Sequence, residues 1–374
     1  MSYPNSPEPR ILKHFSTCDD PRTRPVQYPL IEIVVMVVLA TLCGEEGWEA
    51  IADWGRDKLT FLRKFLSFSK GVPSPDTIRR VMERLNPEQF LKGFINWAEE
   101  IKGRASGQVC IDGKTLRRAM GDGGPLHIVS AWSEQNRIVL GAVKTNSKSN
   151  EITAITDLLN LLILKPGDIV TIDAIGCQKS IVGNIVEQSA DYVIALKKNQ
   201  QNLALEVENF FDQALEAPEY APCKKCTVVH DKPGRKDTQQ VWVCYDLDWL
   251  PQRQEWENLQ SIVMVYRRWE ENGEARQEKR YYISSLHDST EKLAHIVRRH
   301  WSVENELHWH LDVTFQEDAS QIGATANENL RVARMTALEL LRAETGFKRG
   351  LKAKMRRCLR SDCYLGQVLM AGNF

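Results

Sequence analysis

Along the first hundred residues the apolar positions recur three and four apart, the spacing of helices with one buried face. Residues 30–43 read as one helix closed by Gly44, and its stretch 33–40 (IVVMVVLA) is the most apolar run of the chain. Residues 48–68 hold two shorter helices. Ser74-Pro75-Asp76 is a helix start, with Ser74 as the cap, Pro75 in the first turn, and Ile78, Val81, Met82 and Leu85 at helical spacing behind it. Pro87 opens another helix, whose stripe is Phe90, Leu91, Phe94 and Trp97. Residues 1–105 are expected to form an all-helical domain. Its basic turn at Arg79-Arg80 suits DNA, and a packing or dimerisation module explains it equally well.

Near Gln108 the period falls to two. Strands are expected at 108–112, 127–133 and 137–145, the last two joined by a hairpin-like turn at 134–136. A helix follows at 151–162, a turn at 165–168, a strand at 169–173, a helix at 179–188 and a strand at 191–196. Three strands, helix, strand, helix, strand is an α/β order with a mixed sheet, and it matches the ribonuclease-H-like arrangement. Residues 200–285 break that rhythm with a helix at 203–214 and strand-like runs at 226–230, 239–245, 261–268 and 280–285. That is too much material for a loop and reads as a β-rich insertion. After Ser289 the chain turns helical to its end, so the core divides into 106–199 and 286–374 around the insertion.

Composition changes this picture only locally. Lys plus Arg and Asp plus Glu each number 49, so net charge says nothing about partners. Residues 331–360, however, carry ten Lys/Arg against Glu339 and Glu344, a local excess suited to phosphate or to a solvated helix face. Nine cysteines at irregular spacing do not describe a disulfide framework and fit a reducing cytoplasm. Cys43, Cys110 and Cys244 lie in apolar runs and read as small core residues. Cys223, Cys226 and His230 have some zinc-like character, but nothing completes four ligands. The run 33–40 is far shorter than the roughly 20 residues that span a bilayer. No basic-then-apolar signal opens the chain.

The candidate chemistry is three carboxylates. Asp112 ends the run Val109-Cys110-Ile111, and Asp173 ends Ile169-Val170-Thr171-Ile172. An Asp at the carboxyl end of a buried strand faces the crevice where α/β ligand sites form, and a turn-capping Asp is its plainer explanation. Glu304 lies at the edge of a helical stripe made by Leu293, Ile296, Val297, Val303, Leu307 and Leu311, whereas Glu306 is expected in solvent. His300, Glu304 and His308 line one side at i, i+4, i+8, and Trp301 and Trp309 read as core aromatics rather than base-stacking residues. Three carboxylates suit two Mg²⁺ or Mn²⁺ ions, with Asp112 bridging and Asp173 and Glu304 on the flanks. Lys114, Lys197 and Lys198, near strand ends, are candidates to hold substrate phosphates, or are surface lysines.

Ile111-Asp112-Gly113-Lys114, Lys148-Ser149-Asn150-Glu151-Ile152, Thr171-Ile172-Asp173-Ala174, Asp191-Tyr192 with Lys198-Asn199-Gln200, Tyr281-Tyr282-Ile283-Ser284-Ser285 and His300-Trp301-Ser302-Val303-Glu304-Asn305 occur in this order. Together they resemble the ISAs1 family of bacterial insertion-sequence transposases, which includes the H-repeat-associated proteins and belongs to the IS4-like DDE group. The similarity covers nearly the whole chain, including Asp20-Pro21-Arg22 and Ser74-Pro75-Asp76-Thr77 in the helical domain. It implies a ribonuclease-H-like core, a β-rich insertion before the last acid, and divalent-metal-dependent cutting at terminal inverted repeats with strand transfer into target DNA. Asp112, Asp173 and Glu304 match the family's acids. A cytoplasmic, nucleoid-associated protein acting on double-stranded DNA as a homodimer or larger assembly follows by analogy.

The wider group carries Tyr and Arg before the Glu and Lys after it, where this chain has Val297, His300 and Leu311. Arg298, Arg299, His300 and His308 are the candidates to replace that grip on DNA. In place of a compact His-Gly-Arg-x-Glu segment in the insertion stand His230 to Asp237 with Gly234-Arg235. A DNA-binding derivative without catalysis, and a nuclease that cuts without joining, are the alternative functions.

Overall fold

The structure is a computed structural model that describes residues 8–23, 26–103, 107–121, 124–145, 150–232, 235–271, 274–320 and 322–373. Lys148, Ser149 and the side chains of 229–237, including the altered insertion segment, lie outside the described residues. The chain resolves into two compact units. One is Met1–Arg104, Thr115–His127 and Asn305–Phe374, and the other is Ala105–Lys114 and Ile128–Glu304.

In the first, helical unit the apolar run becomes the helix Leu30–Cys43, buried over almost its whole length. A helix apolar on every side needs neighbours on every side, and Trp48–Asp57, Ala324–Ala343 and Leu351–Arg360 pack around it. Gly44 ends it in the left-handed region at φ 93°, where a side chain would be strained. Glu32 is buried in this helix and accepts a 2.7 Å hydrogen bond from the Phe68 N–H. Ser74 caps Pro75–Arg84 as expected, accepting from Thr77 N at 3.3 Å, and Asn86 caps Pro87–Lys102 in the same way. The basic turn is locally neutralised: Arg79 pairs with Asp76 and Glu83, and Arg80 with Asp76. Arg10–Phe15 is a helix that the polar, Pro-rich start concealed, with Ile11, Leu12 and Phe15 inside.

The basic stretch 331–360 is not a single solvated face. Arg331 is buried and donates to Glu317 at 2.5 Å. Arg334, also buried, donates to Asn327 at 3.0 Å, and Lys354 donates to the Leu341 carbonyl at 2.8 Å. Arg342 holds Glu339. Lys348, Arg349, Lys352, Arg356, Arg357 and Arg360 remain exposed. No helix of the described residues is long and apolar enough to cross a membrane.

The second unit is built on a nine-stranded mixed sheet, except that the residues of β1 and β2 within Thr115–His127 count with the first unit. Its strands are β1 (Gln108–Gly121), β2 (Gly124–Ser133), β3 (Ile138–Thr145), β4 (Ile169–Ile172), β5 (Asp191–Leu196), β6 (Cys223–Lys232), β7 (Arg235–Cys244), β8 (Ser261–Glu271) and β9 (Glu274–Ser284). Their order is β3-β2-β1-β4-β5-β9-β8-β7-β6. β1–β4 and β4–β5 pair parallel, and β5–β9, β9–β8, β8–β7 and β7–β6 pair antiparallel. The segment expected as an insertion thus continues the same sheet from β5 outward.

Glu151–Leu161, Lys179–Glu187 and Gln201–Glu216 supply apolar side chains to one face of the sheet, and Thr290–His300 to the other. Strand periodicity disposes of the zinc reading. Cys223 packs into the first face and Cys226, three residues on, into the opposite one.

Candidate active site

Asp112 lies within β1, not at its end: the strand continues to Gly121. The pairing with β4, however, stops at Ile111↔Ile172, so Asp112 is the first residue of β1 beyond its parallel partner. The crevice outside a strand end is therefore present although the strand itself runs on. Asp173 follows β4 directly, and its carboxylate accepts from Ile175 N at 3.1 Å, so the plain capping role is also filled.

Strand alternation decides which way these acids face. Gln108, Cys110 and Asp112 share one side of β1, and Ile169, Thr171 and Asp173 share the same side of β4. That side belongs to the helix Thr290–His300, and polar contacts step along it. Gln108 Nε2 donates to the Ile296 carbonyl at 2.8 Å. One turn later the Cys110 thiol lies 3.7 Å from the Arg299 carbonyl, and His300 Nδ1 shares a 2.9 Å hydrogen bond with Thr171 Oγ1. Arg299 is ion-paired with Glu134 on β2's turn. Glu304 follows shortly after the helix, in the segment Val303–His308.

The charges of the other two acids act on Asp112. Burial, then Glu304, then Asp173 push the Asp112 carboxyl up to about 7, with Glu151 adding to them and the Gly113 N–H opposing them. Asp173 and Glu304 are exposed. The chain winds as a π-helix through Val303–His308. Its i→i+5 hydrogen bonds change the helical phase, and such segments occur often at functional sites. The stripe Leu293, Ile296, Val297, Val303, Leu307 and Leu311 is buried as expected, but Glu304 stands clear of it and Glu306 is half-buried rather than solvated. The same phase change breaks the i, i+4, i+8 row. His300 is half-buried against Thr171, with burial lowering its ring to about 4, and His308 is buried in the helical unit.

Around the acids, Lys197 and Lys198 are exposed beyond β5. Their loop is tied to the one after Asp173 by Asn199 donating to the Ala174 carbonyl at 2.7 Å and Gln200 to the Cys177 carbonyl at 2.8 Å. Lys114 is buried rather than a surface lysine. Arg298 is exposed on the helix. Trp301 and Trp309 are 41% and 51% exposed, which corrects their reading as core aromatics. The alternation Gln108-x-Cys110-x-Asp112 was the available signal for the strand side that meets the helix. Glu151, a fourth acid acting on Asp112, lies in one of the motifs that carry the resemblance but was not among the candidate site residues, because it reads as an ordinary first-turn acid.

Residues 104–340 match the family described as Transposase DDE domain, and residues 12–98 match the family described as DDE_Tnp_1-associated. The chain belongs to the DDE transposase family. It is 37% identical to "H repeat-associated putative transposase YhhI" of Escherichia coli (strain K12), over 96% of this chain and 97% of that protein. It is likewise 37% identical to "Putative transposase YncI" of Escherichia coli O157:H7, over 96% of this chain and 94% of that one. Transposases act on DNA, and DDE domains generally use divalent metal ions. Among the described residues of this transposase no three His, Cys, Asp or Glu side chains close into a ready-made metal cage. The donor set nevertheless fits hard divalent ions. It is all oxygen, mutually repulsive and open on the sides of Asp173 and Glu304, as suits ions that keep waters and share ligands with a phosphate.

Proposed function

We propose that this transposase, of the ISAs1 type within the IS4-like group, binds the terminal inverted repeats of an insertion sequence and catalyses cleavage and strand transfer with Asp112, Asp173 and Glu304. Its core is ribonuclease-H-like over 106–199 and 286–374, with 200–285 as the insertion and 1–105 as the accompanying helical domain. The observation that supports the reading is the shared side of β1, β4 and Thr290–His300, together with the action of the Glu304 and Asp173 charges on Asp112.

Asp112, Asp173 and Glu304 would hold two Mg²⁺ or Mn²⁺ ions. When bound, such ions supply an activated oxygen nucleophile and stabilise the leaving oxygen of an in-line displacement at phosphorus. Asp112 is the least hydrated of the three and gains most from a counter-charge, and Asp173 and Glu304 stay open to water and DNA. Lys197 and Lys198, on the neighbouring loop, meet substrate phosphates. Gln108, Thr171 and Cys110 fix the end of the helix Thr290–His300, from which the chain runs on to Glu304. Two element ends have to meet, so at least a dimer assembles on DNA, in the bacterial cytoplasm at the nucleoid.

The test incubates labelled element-end DNA with Mg²⁺ or Mn²⁺ and compares the native chain with Asp173→Ala. The expected result is metal-dependent cleavage and joining that the variant loses by on the order of 10³-fold or more. Equal activity in both refutes the site. Binding without cleavage in the native chain makes it a non-catalytic DNA-binding derivative, and cleavage without joining makes it a nuclease.

A further inference from the structure

The cations of 331–360 fall into two groups. Arg331, Arg334, Arg342 and Lys354 are tied to an acid, an amide or a carbonyl within the helical unit. Lys348, Arg349, Lys352, Arg356 and Arg360 are exposed, and among the described residues none of their side chains makes a hydrogen bond, ion pair or ring contact. Exposed arginines elsewhere in the same unit are matched: Arg56 holds Asp53, Arg79 holds Asp76 and Glu83, and Arg80 holds Asp76.

The helix Leu351–Arg360 sets most of the unmatched group in order. Lys354, Met355 and Cys358 face inward. Lys352, Arg356 and Arg360 recur four apart and form a row on the outer side, about 12 Å from first to last. Arg357 stands beside the row with its guanidinium over the rings of Phe347 and Tyr364, each at 4.4 Å. Ring contact orients a guanidinium and leaves the donors along its edge for oxygen acceptors, the geometry that suits phosphate.

No acid offsets this row. The helix contains none. Glu344 accepts from the Tyr364 hydroxyl at 2.6 Å and lies 3.3 Å from Lys354, and Asp362 accepts from Lys58 at 2.7 Å. Glu45 and Glu46 border the same cavity of about 500 Å³ as Lys352 and Arg356 and pair with neither. Like charges four apart on a helix repel, and Lys352 in the first turn opposes the helix dipole. A face that only had to be solvated would not need such a concentration of one sign. Charges spread in a row fit a chain of phosphates better than one small anion. A helix lying on a membrane needs its apolar side free, and here that side is buried.

We propose that the outer face of Leu351–Arg360 is a DNA-backbone surface, in which Lys352, Arg356 and Arg360 meet neighbouring phosphates and Arg357 adds an oriented guanidinium. The proposal rests on the transposase reading, but the two fail separately: the carboxylates are read by cleavage, and this surface by binding in EDTA, where no metal-dependent cleavage occurs.

The experiment measures anisotropy of a labelled mixed-sequence duplex with the full chain across a salt series. Lys352→Gln, Arg356→Gln and Arg360→Gln should each weaken binding about 3- to 10-fold, irrespective of sequence, and lower the slope of log affinity against log salt by about one. The triple variant should lower the slope by about three. Arg357→Lys, which keeps the charge and loses the planar fork, should bind between the native chain and Arg357→Gln. Lys70→Gln/Lys165→Gln, at two exposed lysines elsewhere, should keep native affinity and slope. The row is exposed, so the triple variant reports on binding even if the Arg357 variants unfold. Unchanged affinity and slope in the triple variant overturns the proposal. So does competition by polyglutamate as strong as that by DNA, which would make the face a site for acidic polypeptide.

Discussion

Glu317 in the helical unit and Asp112 in the sheet unit are both acids withdrawn from water, and their surroundings treat the charge in opposite ways. Glu317 is fully buried, bonded to Arg331 at 2.5 Å with Arg334 at 3.9 Å. Asp112 is half-buried, and the charged groups that act on it most strongly are Glu304, Asp173 and Glu151. The first arrangement compensates a desolvated charge with its opposite, which is what a scaffold needs. The second brings like charges together and leaves the fold to bear the repulsion. Perturbed carboxylates of that kind cluster at working sites, where an incoming cation removes the conflict.

The compensated side should break hardest. Arg331→Met leaves Glu317 buried without its main partner, and unfolding in urea should show a loss of about 3–5 kcal/mol. Glu317→Gln/Arg331→Met removes both charges and should recover a large part of that loss. A single-variant loss below about 1 kcal/mol would mean that water reaches Glu317 and that the two units do not differ as described.

The uncompensated side should respond to pH and to cations. The folded Asp112 carboxyl titrates at about 7 against an ordinary 3.8. Between those values the folded chain holds a proton that the unfolded chain has released, so this group's contribution falls as pH rises from 3.8 to 7. His300, lowered to about 4, acts in the reverse sense over part of that window, because its unfolded form takes up the proton first. The difference between native chain and Asp112→Asn in EDTA isolates the acid. The variant should gain up to about 2 kcal/mol above pH 7 and little in acid. Mn²⁺ should raise the melting temperature of the native chain most above pH 7 and that of the variant much less. Parallel stability curves for the two proteins would show that Asp112 carries no excess repulsion.

The readable and unreadable parts of the sequence divide along this contrast. Strand positions around Asp112 and Asp173 were legible because period-2 apolar runs are local, and so was the Leu30–Cys43 helix with its glycine stop. The partnership of Glu317 with Arg331 was not, because the basic stretch 331–360 looks the same in sequence whether a guanidinium points to water or into a core. Arg10–Phe15 was missed because three apolar residues in a Pro-rich setting only declare themselves as helix once Phe90 packs on Phe15. The exposure of Trp301 and Trp309 was unreadable too, since helical phase was extrapolated at a constant 3.6 through a segment that winds more widely.

The smallest effect is the sharpest on the choice between neighbouring acids. Glu304 is exposed, so Glu304→Gln should alter stability by no more than about 0.5 kcal/mol. It should nonetheless move the Asp112 titration back toward the ordinary range, because Glu304 is the strongest charge acting on that carboxyl. Glu306→Gln, two residues along, should leave the Asp112 titration where it is, since Glu306 is not among the groups that shift it. Carboxyl-carbon NMR of the metal-free chain reads both variants directly. If Glu306→Gln moves Asp112 and Glu304→Gln does not, the π-helical phase has been assigned one acid too early. The third carboxylate of the site would then be Glu306.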